Sequence, residues 1–212
     1  MSPSPLVLGI DEAGRGCVLG SLFVGAFCCT KQQLQAVEDS GATDSKKLSP
    51  SKRSAILEKL KDLGQSKLVK ITPQEIDNGN INTLEEQAFI KLILHFRPQY
   101  VYIDAPAHPK AIPAFIARVR ASLQPHFETL PQLIVEPKAD LRYPLVGAAS
   151  IVAKVNRDAA LHTLGKEVGS GYPSDPKTRA WIKGFFERKE ELPDCVRKRW
   201  GTIQTLRQQT LL

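Results

Sequence analysis

The chain has 212 residues, 42% of them hydrophobic, which suffices for one large domain with a true core and argues against intrinsic disorder. No apolar run approaches the roughly 20 residues of a membrane span, and Met1-Ser2-Pro3-Ser4-Pro5 has neither the basic region nor the apolar stretch of a signal peptide, so a soluble, cytoplasmic protein is expected. The formal charge is +7, and from Pro176 onward nine Lys and Arg stand against four Asp and Glu, a balance that suits a polyanionic partner and equally a solvated basic face.

Leu6-Val7-Leu8-Gly9-Ile10 opens a strand over 5–12 that ends in two adjacent acids, Asp11 and Glu12. At the mouth of a sheet such a pair costs stability unless something positive sits there, and oxygen donors suit a hard divalent cation. Gly14-Arg15-Gly16 follows, a turn whose glycines let the backbone approach a ligand beside one guanidinium. Residues 19–29 read as a second strand, antiparallel to the first because the connection is short. Ser49 and Pro50 supply an N-cap and first position for a helix to about residue 63. A short strand over 68–71 precedes Thr72-Pro73-Gln74-Glu75, which has capping-box spacing. Thr83 and Glu86 repeat that spacing ahead of Phe89, Ile93 and Phe96 at helical intervals, with Pro98 beyond the end. Tyr100-Val101-Tyr102-Ile103 reads as a buried strand stopping at Asp104, residues 110–123 as an amphipathic helix, and 133–135 as a further strand. Small and β-branched residues from Pro144 to about Leu164 predict a closely packed helix, and Asp175-Pro176 cap one more, to about Glu190.

A hairpin followed by strand–helix alternation makes this an α/β fold. If strands 5–12 and 99–104 are parallel neighbours, Asp11 and Asp104 leave the sheet at one carboxyl edge, where open α/β sheets bind ligands. Asp140 follows the strand at 133–135 closely enough to reach the same edge. A cluster of Asp11, Glu12, Asp104 and Asp140 is therefore expected on geometry alone.

Other chemistries fit less well. The four cysteines (Cys17, Cys28, Cys29, Cys195) form no C-x-x-C pair, and no His spacing completes a zinc site. Cys17, Cys28 and Cys29, set in or beside apolar segments, read as buried thiols. Gly14-x-Gly16-x-x-x-Gly20 is superficially a dinucleotide fingerprint, but a strand rather than a helix follows, and the preceding carboxylates would repel a pyrophosphate.

Gly9-Ile10-Asp11-Glu12-Ala13-Gly14-Arg15-Gly16 resembles the opening motif of ribonuclease HII, the type 2 ribonuclease H family. Four further stretches agree in order: Thr43-Asp44-Ser45-Lys46-Lys47-Leu48, Tyr102-Ile103-Asp104, Lys138-Ala139-Asp140 with Ala148-Ala149-Ser150-Ile151-Val152-Ala153-Lys154-Val155-x-Arg157-Asp158, and Gly169-Ser170-Gly171-Tyr172-Pro173-Ser174-Asp175. The last is closer to the archaeal and eukaryotic branch. The resemblance implies an RNase H-like mixed five-stranded sheet flanked by helices, with residues 1–165 as catalytic domain and 166–212 as a helical extension that helps bind nucleic acid. It implies an endoribonuclease that hydrolyses the RNA strand of RNA–DNA hybrids and cuts 5′ of ribonucleotides embedded in duplex DNA, as in ribonucleotide excision repair and primer removal, leaving 3′-OH and 5′-phosphate ends. Its four acidic positions map onto Asp11, Glu12, Asp104 and Asp140, holding two Mg²⁺ or Mn²⁺ ions. Gly14, Arg15 and Gly16 look like its ribose-sensing turn with Tyr172 as partner, because registering a 2′-hydroxyl needs close backbone approach. Ser45, Lys46, Lys47 and Lys154 resemble its phosphate contacts, which fix register rather than sequence. Asp158 reads as a salt-bridge partner of Lys154 or Arg157 rather than a metal ligand. A monomer is expected, and residues 204–212 show no paired aromatics of the sliding-clamp kind.

Overall fold

The first apolar run forms the central strand of a sheet in a computed structural model that describes residues 4–42, 48–106 and 108–210. Strand β1 (Leu6–Ala13) pairs antiparallel with β2 (Leu22–Thr30), which pairs antiparallel with β3 (Gln65–Ile71). On its other side β1 runs parallel to β4 (Tyr100–Asp104), and β4 parallel to β5 (Gln132–Glu136). The five-stranded order is β3-β2-β1-β4-β5, the mixed sheet expected from the sequence. The second strand begins at Leu22, not at 19, because Gly20 takes φ +81° and Leu19 instead bridges to Val196.

Helices cover both faces. Between β2 and β3 lie α1 (Leu34–Asp39) and α2 (Pro50–Leu60), the latter capped by Ser49. After β3, α3 (Pro73–Asn78) opens with the expected capping box, Thr72 Oγ1 accepting from Glu75 N while Glu75 Oε2 accepts from Thr72 N. The next helix, α4 (Ile81–Phe96), starts earlier than Thr83 and Glu86 suggested. Its cap is Asn80, whose Oδ1 accepts from the amides of Asn82 and Thr83, and Glu86 pairs with Arg118 instead. Then come α5 (Ile112–Leu123), α6 (Pro144–His162), α7 (Pro176–Glu187) capped by Asp175, and α8 (Gly201–Thr210). Among the described residues no helix is long and apolar enough to cross a membrane.

Strand alternation sorts β1 between two cores. Leu8 and Ile10 pack with Phe89, Leu92, Phe115 and Val119 from α4 and α5, whereas Val7 packs with Leu145, Ala148 and Ala149 from α6 and Ile56 from α2. The small residues of α6 let it lie almost on the sheet: a Cβ added at Gly9 would stand 2.3 Å from the carbonyl oxygen of Leu145. A third cluster joins Val18 and Leu19 to Val168, Ile182, Val196, Ile203 and Leu206. The segment around 195–197 is also stitched to the loop after β1, Gly20 N donating to Cys195 O at 2.7 Å and Arg197 N to Val18 O at 2.9 Å.

Candidate metal centre and nucleic-acid cleft

The register of β1 against β4, with Ile10 opposite Ile103, brings Asp11 and Asp104 to one sheet edge. After β5 the chain turns through a left-handed Lys138 (φ 60°) into a short 3-10 turn holding Asp140. Asp104 Oδ1 accepts from Ala139 N at 2.9 Å, which ties that turn to the end of β4. Asp11, Asp104 and Asp140 each thereby offer an oxygen within 4.8 Å of the others. Asp11 and Asp140 are buried.

Glu12 stands beside that set of three, close enough to Asp11 for a side-chain hydrogen bond, and alternation turns it to the other face of β1. Asp11 shares the α6 face with Val7 and Gly9, where Ser150 and Lys154 of α6 lower its proton affinity. Glu12 projects toward α4, and after burial its proton affinity is raised by Asp11 and then by Glu85 of that helix. Burial dominates for Asp11 as well, holding its carboxyl at about 6 against an ordinary 3.8 despite Lys154. Glu12 is held well above the usual carboxylate range. An all-oxygen set of crowded carboxylates, in which burial raises Asp11 and Glu12, is a fit for a hard divalent cation such as Mg²⁺ or Mn²⁺, whose charge would offset both the burial and the repulsion.

A cleft of about 440 Å³ is lined by Asp11, Glu12 and Asp104 together with the cations Arg53, Lys154 and Arg157. The turn of Gly14, Arg15 and Gly16 and the ring of Tyr172 complete its walls. Gly14 sits at φ +88°, and a Cβ there would come 2.9 Å from Ser21 O, so the turn requires glycine. Tyr172 is 40% exposed and lies beside Gly16, with the guanidinium of Arg157 5.0 Å from its ring centroid. Arg157 also donates to Ser170 O and to Cys17 Sγ, and pairs with Asp158 at 2.9 Å. Asp158 pairs in turn with Arg53 of α2 at 2.7 Å, so its place is that of an ion-pair partner. Lys154 Nζ donates to Ser150 Oγ at 2.5 Å on the preceding turn of α6. Ser45, Lys46 and Lys47 lie outside the described residues.

Three residues of this region escaped the sequence reading: Arg53 of the cleft wall, Glu85 and Arg197. Glu85 is fully buried and accepts from Arg15 Nε at 3.0 Å, while Arg15 Nη2 reaches Asn82 Oδ1 at 2.5 Å. The other oxygen of Glu85 is buried with no hydrogen-bond partner among the described residues. Its signal was legible: Glu85 stands on the apolar stripe of α4, four residues before Phe89. Arg197 is also fully buried, and its basic neighbours Lys198 and Arg199 disguise it as part of a solvated run.

Comparison with known proteins agrees with the site. The family model described as ribonuclease HII matches residues 8–203. A ribonuclease HII from Archaeoglobus fulgidus is 36% identical over 210 residues, covering 96% of this chain and 97% of that protein. The crystal structure of ribonuclease H2 from Pyrococcus horikoshii OT3 superposes with a TM-score of 0.86 at 34% identity, over 97% of this chain and 99% of that one. The ribonuclease HII in a complex with PCNA from A. fulgidus gives 0.83 at 33% identity, over 95% and 96%.

Proposed function

Because the chain belongs to the ribonuclease HII family and is a type 2 ribonuclease H, we propose that it cleaves the RNA strand of RNA–DNA hybrids and cuts 5′ of a ribonucleotide in duplex DNA. The observation that carries this reading is one of position: Asp11 and Asp104, two members of a carboxylate triad, line the same cleft as a glycine-bounded turn and an exposed tyrosine. Asp11, Asp104 and Asp140 would hold Mg²⁺ or Mn²⁺, with Glu12 beside them. Bound in a pair, such ions activate water and stabilise a departing oxygen in an in-line displacement.

The protein's own groups account for placement. Arg53, Lys154 and Arg157 line the cleft with the acids and draw the phosphate backbone toward them, a salt-sensitive attraction that carries no sequence information. The turn at Gly14, Arg15 and Gly16 brings backbone close enough to register a 2′-hydroxyl, which separates a ribonucleotide from DNA. The ring of Tyr172 packs against the neighbouring sugar and favours DNA on that side of the junction. Hydrolysis breaks the P–O3′ bond, leaving a 3′-OH and a 5′-phosphate that begins with the ribonucleotide. We take the monomer as the working unit. The A. fulgidus relative was solved with PCNA, and a clamp partner forms no part of this reading.

The test is cleavage of an end-labelled hybrid by the parent and by Asp104→Asn and Asp140→Asn, with binding measured alongside. Loss of cleavage by orders of magnitude with retained binding supports the assignment. Parental rates in either variant contradict it.

A further inference from the structure

Arg197 is a charged side chain with no exposure to solvent, and it has no place in the chemistry proposed above. It comes from the segment between α7 and α8, 177 to 183 residues along the chain from the groups it touches. Its Nη2 donates to Gly14 O at 2.6 Å, its Nη1 to Arg15 O at 2.8 Å, and its Nε to Gly20 O at 3.0 Å. The guanidinium thus spends all three of its nitrogens on carbonyls of one loop, a planar fork fitted to a fixed array. The ring of Trp200 lies 5.1 Å from the guanidinium carbon and supports it from the side.

The consequence follows from peptide planarity. In a trans peptide the carbonyl of one residue and the N–H of the next point in opposite directions. Turning the carbonyls of Gly14 and Arg15 inward onto Arg197 therefore turns the N–H groups of Arg15 and Gly16 outward, toward the cleft these residues line. Among the described residues neither N–H has an acceptor. Burying a guanidinium is costly, and this one is held down to about 10 by its burial. A chain that needed only to close the loop could do so with apolar residues, whereas only a multidentate donor fixes two successive peptide planes.

We infer that Arg197 is a positioning residue for ribonucleotide discrimination, a buried clamp that aims two backbone donors of the Gly14–Gly16 turn at the 2′-hydroxyl. This rests on the proposed reading of that turn as the ribose sensor. It adds a determinant from the C-terminal segment, which supplies no acid of the metal centre.

Arg197→Met and Arg197→Lys test it in the full chain, with affinity measured for a DNA duplex carrying one ribonucleotide and for the same duplex in all-DNA form. The binding buffer contains Ca²⁺, with gels run to verify that no cleavage occurs during the measurement. In Arg197→Met the preference for the ribonucleotide duplex should fall at least fivefold toward unity, while all-DNA affinity stays within twofold. The rise in Tm on adding Mn²⁺ should be retained, since the triad is untouched. Lysine, which can still donate to one or two of the carbonyls, should restore part of the preference. A folded Arg197→Met with the parental preference overturns the role. If that variant does not fold, Trp200→Leu loosens the clamp while keeping the charge, and should lower the preference two- to fivefold; an unchanged preference overturns the role there too. Absence of any preference in the parent would instead overturn the ribose-sensor reading, and the clamp with it.

Discussion

Replacing Asp11 with asparagine should make the metal-free protein more stable while destroying its activity. Asp11 is 4% exposed, and its carboxyl is held at about 6 against an ordinary 3.8, first by burial and further by Asp104. Ionising it in the folded chain therefore costs roughly 3 kcal/mol more than in the unfolded chain, at 1.36 kcal/mol per pH unit. The sign follows from proton binding: between pH 4 and 6 the folded state holds the proton that the unfolded state has released, so stability falls as pH rises through that window. Above it the whole penalty is present. Asparagine keeps the size and the acceptor for Glu12 N, which Asp11 Oδ1 now engages at 2.8 Å, and removes the charge. In EDTA at pH 8, Asp11→Asn should melt higher by roughly 6–12 °C, given 2–4 °C per kcal/mol for a chain of this size. Lys154 then loses an opposing charge, which makes the upper figure a ceiling. At pH 5 the advantage should shrink to about half, because the parent is by then largely protonated. Adding Mg²⁺ or Mn²⁺ should raise the parent and hardly move the variant, erasing or reversing the order. Thermal melts at the two pH values, with and without metal, read all of this. A variant less stable than the parent in EDTA at pH 8, or an advantage independent of pH, refutes the electrostatic account of the cluster.

Other perturbations address the cleft and the scaffold. Tyr172→Ala should slow cleavage of a single embedded ribonucleotide more than cleavage of a long hybrid, and equal losses in kcat/KM on both would reject a junction-sensing ring. Gly9→Ala forces a methyl to within 2.3 Å of Leu145 O, so it should cost roughly 3 kcal/mol or more in a denaturant titration; a change under 1 kcal/mol would show that α6 does not rest on the sheet as described. Raising the salt concentration should weaken hybrid binding steeply and log-linearly, as a cleft walled by Arg53, Lys154 and Arg157 requires, and a flat response would contradict that wall.

The parts of this molecule legible in sequence are those set by strand ends. Asp11 and Asp104 close two apolar runs, and parallel pairing of those runs is enough to bring the acids together. Asp140 could be placed near them because only a short turn follows β5. Alternation along β1 is readable as well: it turns Glu12 toward α4 and Glu85 while leaving it within reach of Asp11 and Asp104. Glu85 was visible as an acid on an apolar helical stripe. Arg197 was not, since nothing local distinguishes it from its exposed neighbours, and its contacts depend on how the C-terminal segment docks. The start of α4 was misplaced because Asn80 and Thr83 are both competent caps three residues apart, and only the structure shows which side chain takes the amides.

The most direct measurement is cleavage of an end-labelled DNA duplex carrying one ribonucleotide, beside the same duplex in all-DNA form, in Mg²⁺ and in EDTA. Metal-dependent cutting of the first duplex alone, on the 5′ side of the ribonucleotide, is the predicted result. Cutting of both duplexes, or of neither, would contradict a carboxylate metal centre coupled to a turn that reads the 2′-hydroxyl.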